Sequence, residues 1–279
     1  DGDSVTAVVR VARLSSSSRA FALVRPGGTV VAWGYFGGNV CRAPADLADV
    51  DRIVGTVESF AALKTCGEVV VWGAPALRQE ASQLRGKNVQ DLLATAEALL
   101  AVLSDGSTVL MGRYFRQQLE QTGFRDRLRE VREVEATSQA IAVRLADGTV
   151  LSWGEAGPAD TAELAQVQSL KATDRAFAAL RCDGSVVTWG DADYGGDSRH
   201  VQAELVEVTH IQCSGAAFAA LRRDGRVVTW GQPGSGGDCT AAGQLQEVRL
   251  IQATADAFAV VRTDGTVATW GDAGSGGDS

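Results

Sequence analysis

The sequence predicts an all-β fold, a seven-bladed β-propeller. Three observations carry this: a sevenfold repeat, a turn that recurs with it, and strands too apolar to leave either face in water. The repeat is clearest as AFAALRCDGSVVTWG over residues 176–190. An apolar residue recurs at Phe21, Phe60, Leu99, Ile141, Phe177, Phe218 and Phe258, and seven residues after each stands a glycine: Gly28, Gly67, Gly106, Gly148, Gly184, Gly225 and Gly265. Twelve residues after each comes Trp33, Trp72, Met111, Trp153, Trp189, Trp230 or Trp270, followed every time by glycine. Steps of 39, 39, 42, 36, 41 and 40 residues between these positions set a period near forty, the mark of a repeat architecture.

Within one repeat the elements come in a fixed order. Residues 167–173 (VQSLKAT) alternate apolar and polar side chains, as a half-buried strand does. Phe177 to Leu180 is apolar on both faces, and Asp183-Gly184 then leads into Ser185 to Trp189. Asp-Gly between two β-prone runs is a strong hairpin signal, because the favoured tight turn needs positive φ at both central residues. Gly27 and Cys66 replace the aspartate in the first two repeats, so the turn demands the glycine and only prefers the aspartate. Hairpins are thus predicted near residues 20–34, 59–73, 98–112, 140–154, 176–190, 217–231 and 257–271.

Strands apolar on both faces must be covered on both, which radially stacked sheets achieve and a half-wet sheet does not. The tryptophan is read as a wedge between blades, and Met111 in its third slot supports a packing role. Blades of about four antiparallel strands are expected, three legible and the fourth placed near Val206 or Val248. Residues 79–102 and 115–135 are helix-like in composition, but the repeat register makes 99–112 a hairpin and leaves a short helix or looser connection near 117–128. The chain opens Asp1-Gly2-Asp3-Ser4 and closes Gly276-Gly277-Asp278-Ser279, one phase of the repeat. A single domain over residues 1–279 is therefore expected, its ring closed by the N- and C-terminal segments.

A formal charge of −8 disfavours phosphate backbones, and no basic stripe offsets it, so nucleic acid is not an expected direct partner. No run of about eighteen apolar residues predicts a membrane span. No signal peptide is evident, so a cytoplasmic protein is expected. The chain does not begin with Met and is read as a monomer or a domain of a larger chain. Cys41, Cys66, Cys182, Cys213 and Cys239 form no CxxC pair and are read as reduced thiols.

No catalytic residue, metal or cofactor is predicted. His200 and His210 are the two histidines, too few for a convincing metal set and unsupported as a triad base. Asp191, Asp193 and Asp197 alternate beside glycines as calcium ligands can, but an EF-hand loop begun at Asp191 needs Glu where Gln202 stands. Turn chemistry accounts for the same residues. The remaining candidate is a surface. The loops after each Trp-Gly or Met-Gly, residues 35–39, 74–77, 113–115, 155–160, 191–197, 232–238 and 272–278, hold equivalent positions and vary more than the hairpins do. Diversified loops on a constant scaffold suit binding, and another protein is the expected partner. Tyr35, Phe36, Tyr114, Phe115 and Tyr194 are candidate anchors, with Asp191, Asp193, Asp197, Asp238, Asp272 and Asp278 beside them. A ligand- or glycan-binding propeller using the acidic loops is the alternative from another class.

The whole pattern, AFAALRxDGxVVTWG and a glycine-bearing loop, resembles the repeats of the regulator of chromosome condensation family across all seven copies. The resemblance implies a seven-bladed propeller, and a guanine-nucleotide-exchange or ubiquitin-ligase-associated regulatory module. The chain departs from the family's pattern where members often carry His, here Ala176, Ala217 and Ala257. Its loops DADYGGDS, QPGSGGDC and DAGSGGDS also replace the family's Asn-x-x-Gly-Gln-Leu-Gly continuation. No insertion of the kind exchange requires is evident, and the short repeats look more like those of a bacterial β-lactamase inhibitor.

Overall fold

The computed structural model describes residues 12–17, 19–36, 39–40, 42–155, 164–240 and 245–278. They form seven antiparallel sheets, each a consecutive meander. The first three hold β1 (Arg13–Ser16), β2 (Ala20–Val24), β3 (Val30–Phe36) and the two-residue β4 (Asn39–Val40); β5 (Val50–Gly55), β6 (Ser59–Lys64) and β7 (Val69–Gly73); β8 (Val89–Ala94), β9 (Leu99–Leu103) and β10 (Thr108–Met111). The other four hold β11 (Val131–Ala136), β12 (Ala140–Leu145) and β13 (Val150–Gly154); β14 (Val167–Ala172), β15 (Ala176–Arg181) and β16 (Val186–Gly190); β17 (Val208–Cys213), β18 (Ala217–Arg222) and β19 (Val227–Gly231); β20 (Val248–Ala253), β21 (Ala257–Arg262) and β22 (Val267–Gly271). The first three sheets belong to one compact unit and the last four to another. In every sheet the strands on either side of the constant glycine pair antiparallel, and the Phe-position residue lies opposite the Trp-position residue, as Phe177 does Trp189.

The central strand of each sheet explains why the sequence is apolar on both faces. Side chains alternate across a strand, so Ala176, Ala178 and Leu180 point one way and Phe177 and Ala179 the other. The first set packs with Phe218 and Trp230 of the following sheet. The second packs with Ala140 and Ala142 of the preceding one. Ala217 and Ala219 cover Phe258 and Trp270 in the same way. In the first unit, Ala20 and Ala22 cover Phe60 and Trp72, and Ala61 and Leu63 pack with Leu99 and Met111. Small side chains on one sheet thus receive the large aromatic pair of the next. Those pairs stack at 5.1 Å between centroids in the fifth sheet and 5.2 Å in the sixth and seventh.

Neighbouring sheets are also stitched by backbone. The carbonyl of the constant hairpin glycine accepts the N–H that opens the next sheet: Gly184 from Val208 at 2.9 Å, Gly225 from Val248 at 3.0 Å, Gly28 from Val50 at 3.0 Å. A Cβ on Gly184, whose φ is +82°, would lie 3.0 Å from the Glu207 Cα. Close approach as well as turn conformation therefore excludes a side chain, while the preceding position is free to vary.

Where aspartate does precede the glycine, it caps the turn. Oδ1 of Asp105, Asp183 and Asp264 accepts from the backbone N–H and the hydroxyl of Ser107, Ser185 and Thr266. The hydroxyl bond, then the backbone bond, holds each carboxyl below the usual aspartate range. A depressed folded-state value contributes stability above the unfolded value of about 3.9, and that contribution is lost as pH falls through the folded value. Urea midpoints of the native chain should therefore drop as pH is lowered below about 4, and less steeply in a variant carrying Asp105→Asn, Asp183→Asn and Asp264→Asn.

The outer edge differs from expectation. A fourth strand occurs among the described residues only in the first sheet, as β4. Val206 lies in the irregular segment before β17, and Val248 opens β20. Helix α1 (Pro75–Glu80) with a 3-10 turn (Ala81–Leu84), and helix α2 (Arg113–Thr122), stand where loops 74–77 and 113–115 were expected. The reason is composition: these segments are rich in Ala, Leu, Gln and Arg and almost free of β-branched residues. The helix anticipated near 117–128 begins at Arg113 and ends at Thr122. Ring closure was expected of terminal segments whose residues 1–4 and 279 lie outside the described residues.

Candidate functional site

Six of the repeats lock two positions side by side at the end of the sheet opposite the hairpin turn. The residue after Trp-Gly donates its N–H to the carbonyl of the residue before the central strand. The pairs are Tyr35 with Arg19, Ala74 with Glu58, Glu155 with Gln139 and Asp191 with Arg175, each at 3.1 Å, then Gln232 with Ala216 at 2.9 Å and Asp272 with Asp256 at 2.8 Å. The backbone of this join repeats while its side chains change in size and charge. The position before the strand was not predicted as part of the surface. Its signal lies in the sequence: Arg19, Glu58, Glu97, Gln139, Arg175, Ala216 and Asp256 vary as the loops do, directly ahead of a nearly constant small residue.

In the second unit these positions frame a groove of about 320 Å³ lined by Thr137, Gln139, Glu155, Arg175, Gly190 and Asp191. The Arg175 guanidinium lies 5.0 Å from the Tyr194 ring centroid and 3.8 Å from Asp191 Oδ2. Tyr194 is half-buried against the core beneath it. Below the groove the loop is fastened to the next sheet, where Trp230 Nε1 donates to the Gly195 carbonyl at 3.0 Å. Trp270 Nε1 does the same to Gly236 at 2.9 Å.

Several of the candidate carboxylates are engaged in turns. Asp191 Oδ1 accepts from the Asp193 N–H at 3.0 Å, and Asp238 Oδ1 from Thr240 at 2.8 Å. Asp197 accepts from the side chain and backbone of Arg199, which hold its carboxyl far below the usual range. Asp193, Asp272 and Asp278 are exposed. Among the aromatic candidates Tyr35 and Tyr114 are 59% and 45% exposed, whereas Phe115 is buried at 1%. Of that adjacent pair only Tyr114 therefore presents a ring to solvent. The side chain of Phe36 lies outside the described residues. In the first sheet Phe21 and Trp33 are 43% and 44% exposed, unlike the buried pairs of the later sheets.

Away from the loops, the first strands of the fourth to sixth sheets gather Glu133, Glu135, Lys171 and Cys213. Lys171 Nζ lies 3.4 Å from Glu135 Oε1, and Arg144 Nε donates to Glu133 Oε2 at 2.9 Å. The Cys213 thiol donates to the Ala172 carbonyl at 3.1 Å, and burial pushes it up to about 11. It is therefore protonated and a poor nucleophile at neutral pH. Among the described residues no group of three His, Cys, Asp or Glu converges as a metal site needs, and no helix is long and apolar enough to cross a membrane.

Seven meander sheets, packed on their neighbours within each unit through a recurring large apolar pair, define a repeat β-propeller. No protein-family model matches the chain, and no curated protein matches it in sequence. Among solved structures it is similar to the CRINKLY WD40 ectodomain of the Arabidopsis thaliana receptor kinase ACR4, at 15% identity and a TM-score of 0.53, over 92% of this chain and 93% of that one. It is also similar to Prp20p of Saccharomyces cerevisiae, described with its binding properties to Gsp1p and histones, at 15% identity and a TM-score of 0.54, over 88% and 81% of the two chains. The same yeast protein, RCC1 (Prp20), bound to Kap60, is matched at 14% identity and a TM-score of 0.54, over 88% and 78%. At these identities the likeness is one of fold.

Proposed function

We propose that this chain is a non-catalytic protein-binding propeller that engages its partner through the loops after Trp-Gly and the turn residues beside them. One observation carries the reading: a fixed backbone join presents a different residue pair in each of six repeats, such as Arg19 beside Tyr35 and Arg175 beside Asp191. Uniform support with diversified exposed groups is how binding loops are built on rigid scaffolds. Tyrosine and arginine are also the residue types over-represented among interface anchors. The yeast propeller of the same fold is described as binding proteins, which supports a protein partner here.

Partner capture tests the reading. Wild-type protein is compared with Tyr35→Ala, Tyr114→Ala and Arg175→Ala, with Asp183→Ala at the opposite end of a sheet as control. Affinity for the captured partner should fall at least about tenfold for one or more loop variants, the scale of a lost anchor, and hold for the control. A partner that binds all four equally would refute the loop assignment.

A further inference from the structure

In the three-stranded sheets the third strand is the outer edge, and the linker running on from it can cover that edge. In the fourth sheet the outward N–H of Val150 donates to the Leu164 carbonyl at 2.9 Å, and in the sixth that of Val227 donates to Leu245 at 3.3 Å. Val69 holds the same register in the second sheet, since Lys64 N–H bonds Glu68 just as Leu145 bonds Thr149 and Arg222 bonds Arg226. Leu84 is the corresponding buried leucine, but its carbonyl accepts from Lys87 instead. Among the described residues no backbone group meets the Val69 N–H. In an antiparallel strand alternate residues face the same edge, so Val71 shares it.

A groove of about 540 Å³ lies at this strand, lined by Val69, Val70 and Val71 with Arg78 and residues 81–82 and 84–87 of the following segment. Its floor is apolar, formed by Val69, Val71 and Leu84. Its rim is cationic, with exposed Arg78, Arg85 and Lys87, none of which takes part in an ion pair among the described residues. The nearby carboxylates are already committed. Glu68, the one carboxylate in the lining, pairs with Lys64 at 2.8 Å. Glu80 accepts from the Gly112 N–H at 3.1 Å and from Arg116 at 3.2 Å. An unneutralised basic rim on a chain of net charge −8 is thus set over an open strand edge.

We infer that this groove takes an extended acidic segment of a protein partner, added as a strand along β7. Main-chain bonds to Val69 and Val71 supply the affinity common to strand addition, and Arg78, Arg85 and Lys87 select carboxylate side chains. The inference rests on the protein-binding reading and names the chemistry of one contact within it. At about 3.3 Å per residue, β7 accommodates four or five residues of such a segment.

The probe is a fluorescent octapeptide alternating Glu and Val, with its Lys-for-Glu analogue as counterpart, read by fluorescence anisotropy. The glutamate peptide should bind and the lysine peptide should not. Combining Arg78→Glu, Arg85→Glu and Lys87→Glu, all at exposed positions, should weaken the glutamate peptide at least tenfold. Peptide binding should also slow hydrogen exchange at the Val69 and Val71 amides. It should slow alkylation of Cys66, which is exposed and lines the groove, and leave the exposed Cys182 unchanged. Absence of glutamate-peptide binding, equal binding to the charge-reversed variant, or binding without protection of Val69 and Val71 would each overturn the inference. Loss of captured partner in the tyrosine and arginine variants tests the loop reading separately, so the two can fail independently.

Discussion

Replacing Trp230 with alanine is expected to lower unfolding stability by about 3–5 kcal/mol, the cost of emptying a large buried aromatic site. The ring has no solvent exposure, stacks on Phe218 and fills the space against Ala176 and Ala178 of the preceding sheet. Its Nε1 also satisfies the Gly195 carbonyl, so truncation leaves a cavity and an unpaired acceptor together. Trp230→Phe separates the two effects, keeping most of the volume and losing the bond, at about 1–2 kcal/mol. Trp72 supplies an internal comparison. It is buried in the equivalent slot, but its Nε1 meets no partner among the described residues, so Trp72→Phe should cost less than Trp230→Phe. Urea midpoints check the order, and hydrogen exchange in β15 and β18 should localise the Trp230→Ala loss to the two sheets that share the ring. An unchanged midpoint for Trp230→Ala would refute the wedge.

The blade frame was legible because each of its words has one physical cause. Apolar residues on consecutive positions mean two buried faces, and the structure assigns one face of Ala176–Arg181 to each neighbouring sheet. Met111 could be read as packing because a flexible apolar side chain replaces a ring only where the slot is a cavity, and it is fully buried. The outer edge was less legible. Repeat register governs residues tied into the hairpin, but the linkers after Gly73 and Gly112 escape it, and there intrinsic helix preference prevails. A composition that could not override the register over residues 99–112 decided the structure one step outside it.

At the loops the difficulty was one of chemistry. Aspartates beside glycines read equally as ligands or as turn caps, and which oxygen accepts which N–H is not written in spacing. Asp191, Asp197 and Asp238 prove to be caps, while Asp193, Asp272, Asp278, Tyr35 and Tyr114 are exposed. Phe115 shows the same limit, since the alternation of a strand and the turn of a helix bury different neighbours of Tyr114. Once α2 begins at Arg113, Phe115 goes inside.

Gly195→Ala and Gly276→Ala form a matched pair that isolates how firmly a loop is seated on the following sheet. Both glycines come directly after a one-turn 3-10 helix and are left-handed, at φ +91° and +98°. Each substitution therefore incurs the left-handed penalty of an L-residue, about 1–2 kcal/mol. The surroundings differ. A Cβ on Gly195 would lie 2.6 Å from Cδ2 and 2.9 Å from Cε2 of Phe218, whereas nothing stands within 4 Å of one on Gly276. Phe218 has no room to yield, being fully buried and stacked 5.2 Å from Trp230. Overpacking then adds about 1–3 kcal/mol at Gly195 alone. Gly276→Ala should show only the conformational cost and be partly rescued by asparagine, which tolerates the left-handed region better. Gly195→Ala should lose more and gain nothing from asparagine, since the clash begins at Cβ. Equal losses in the two variants would mean that the Gly195 loop does not rest on Phe218. Arg175 and Tyr194 would then lack the rigid base that the proposed binding surface requires.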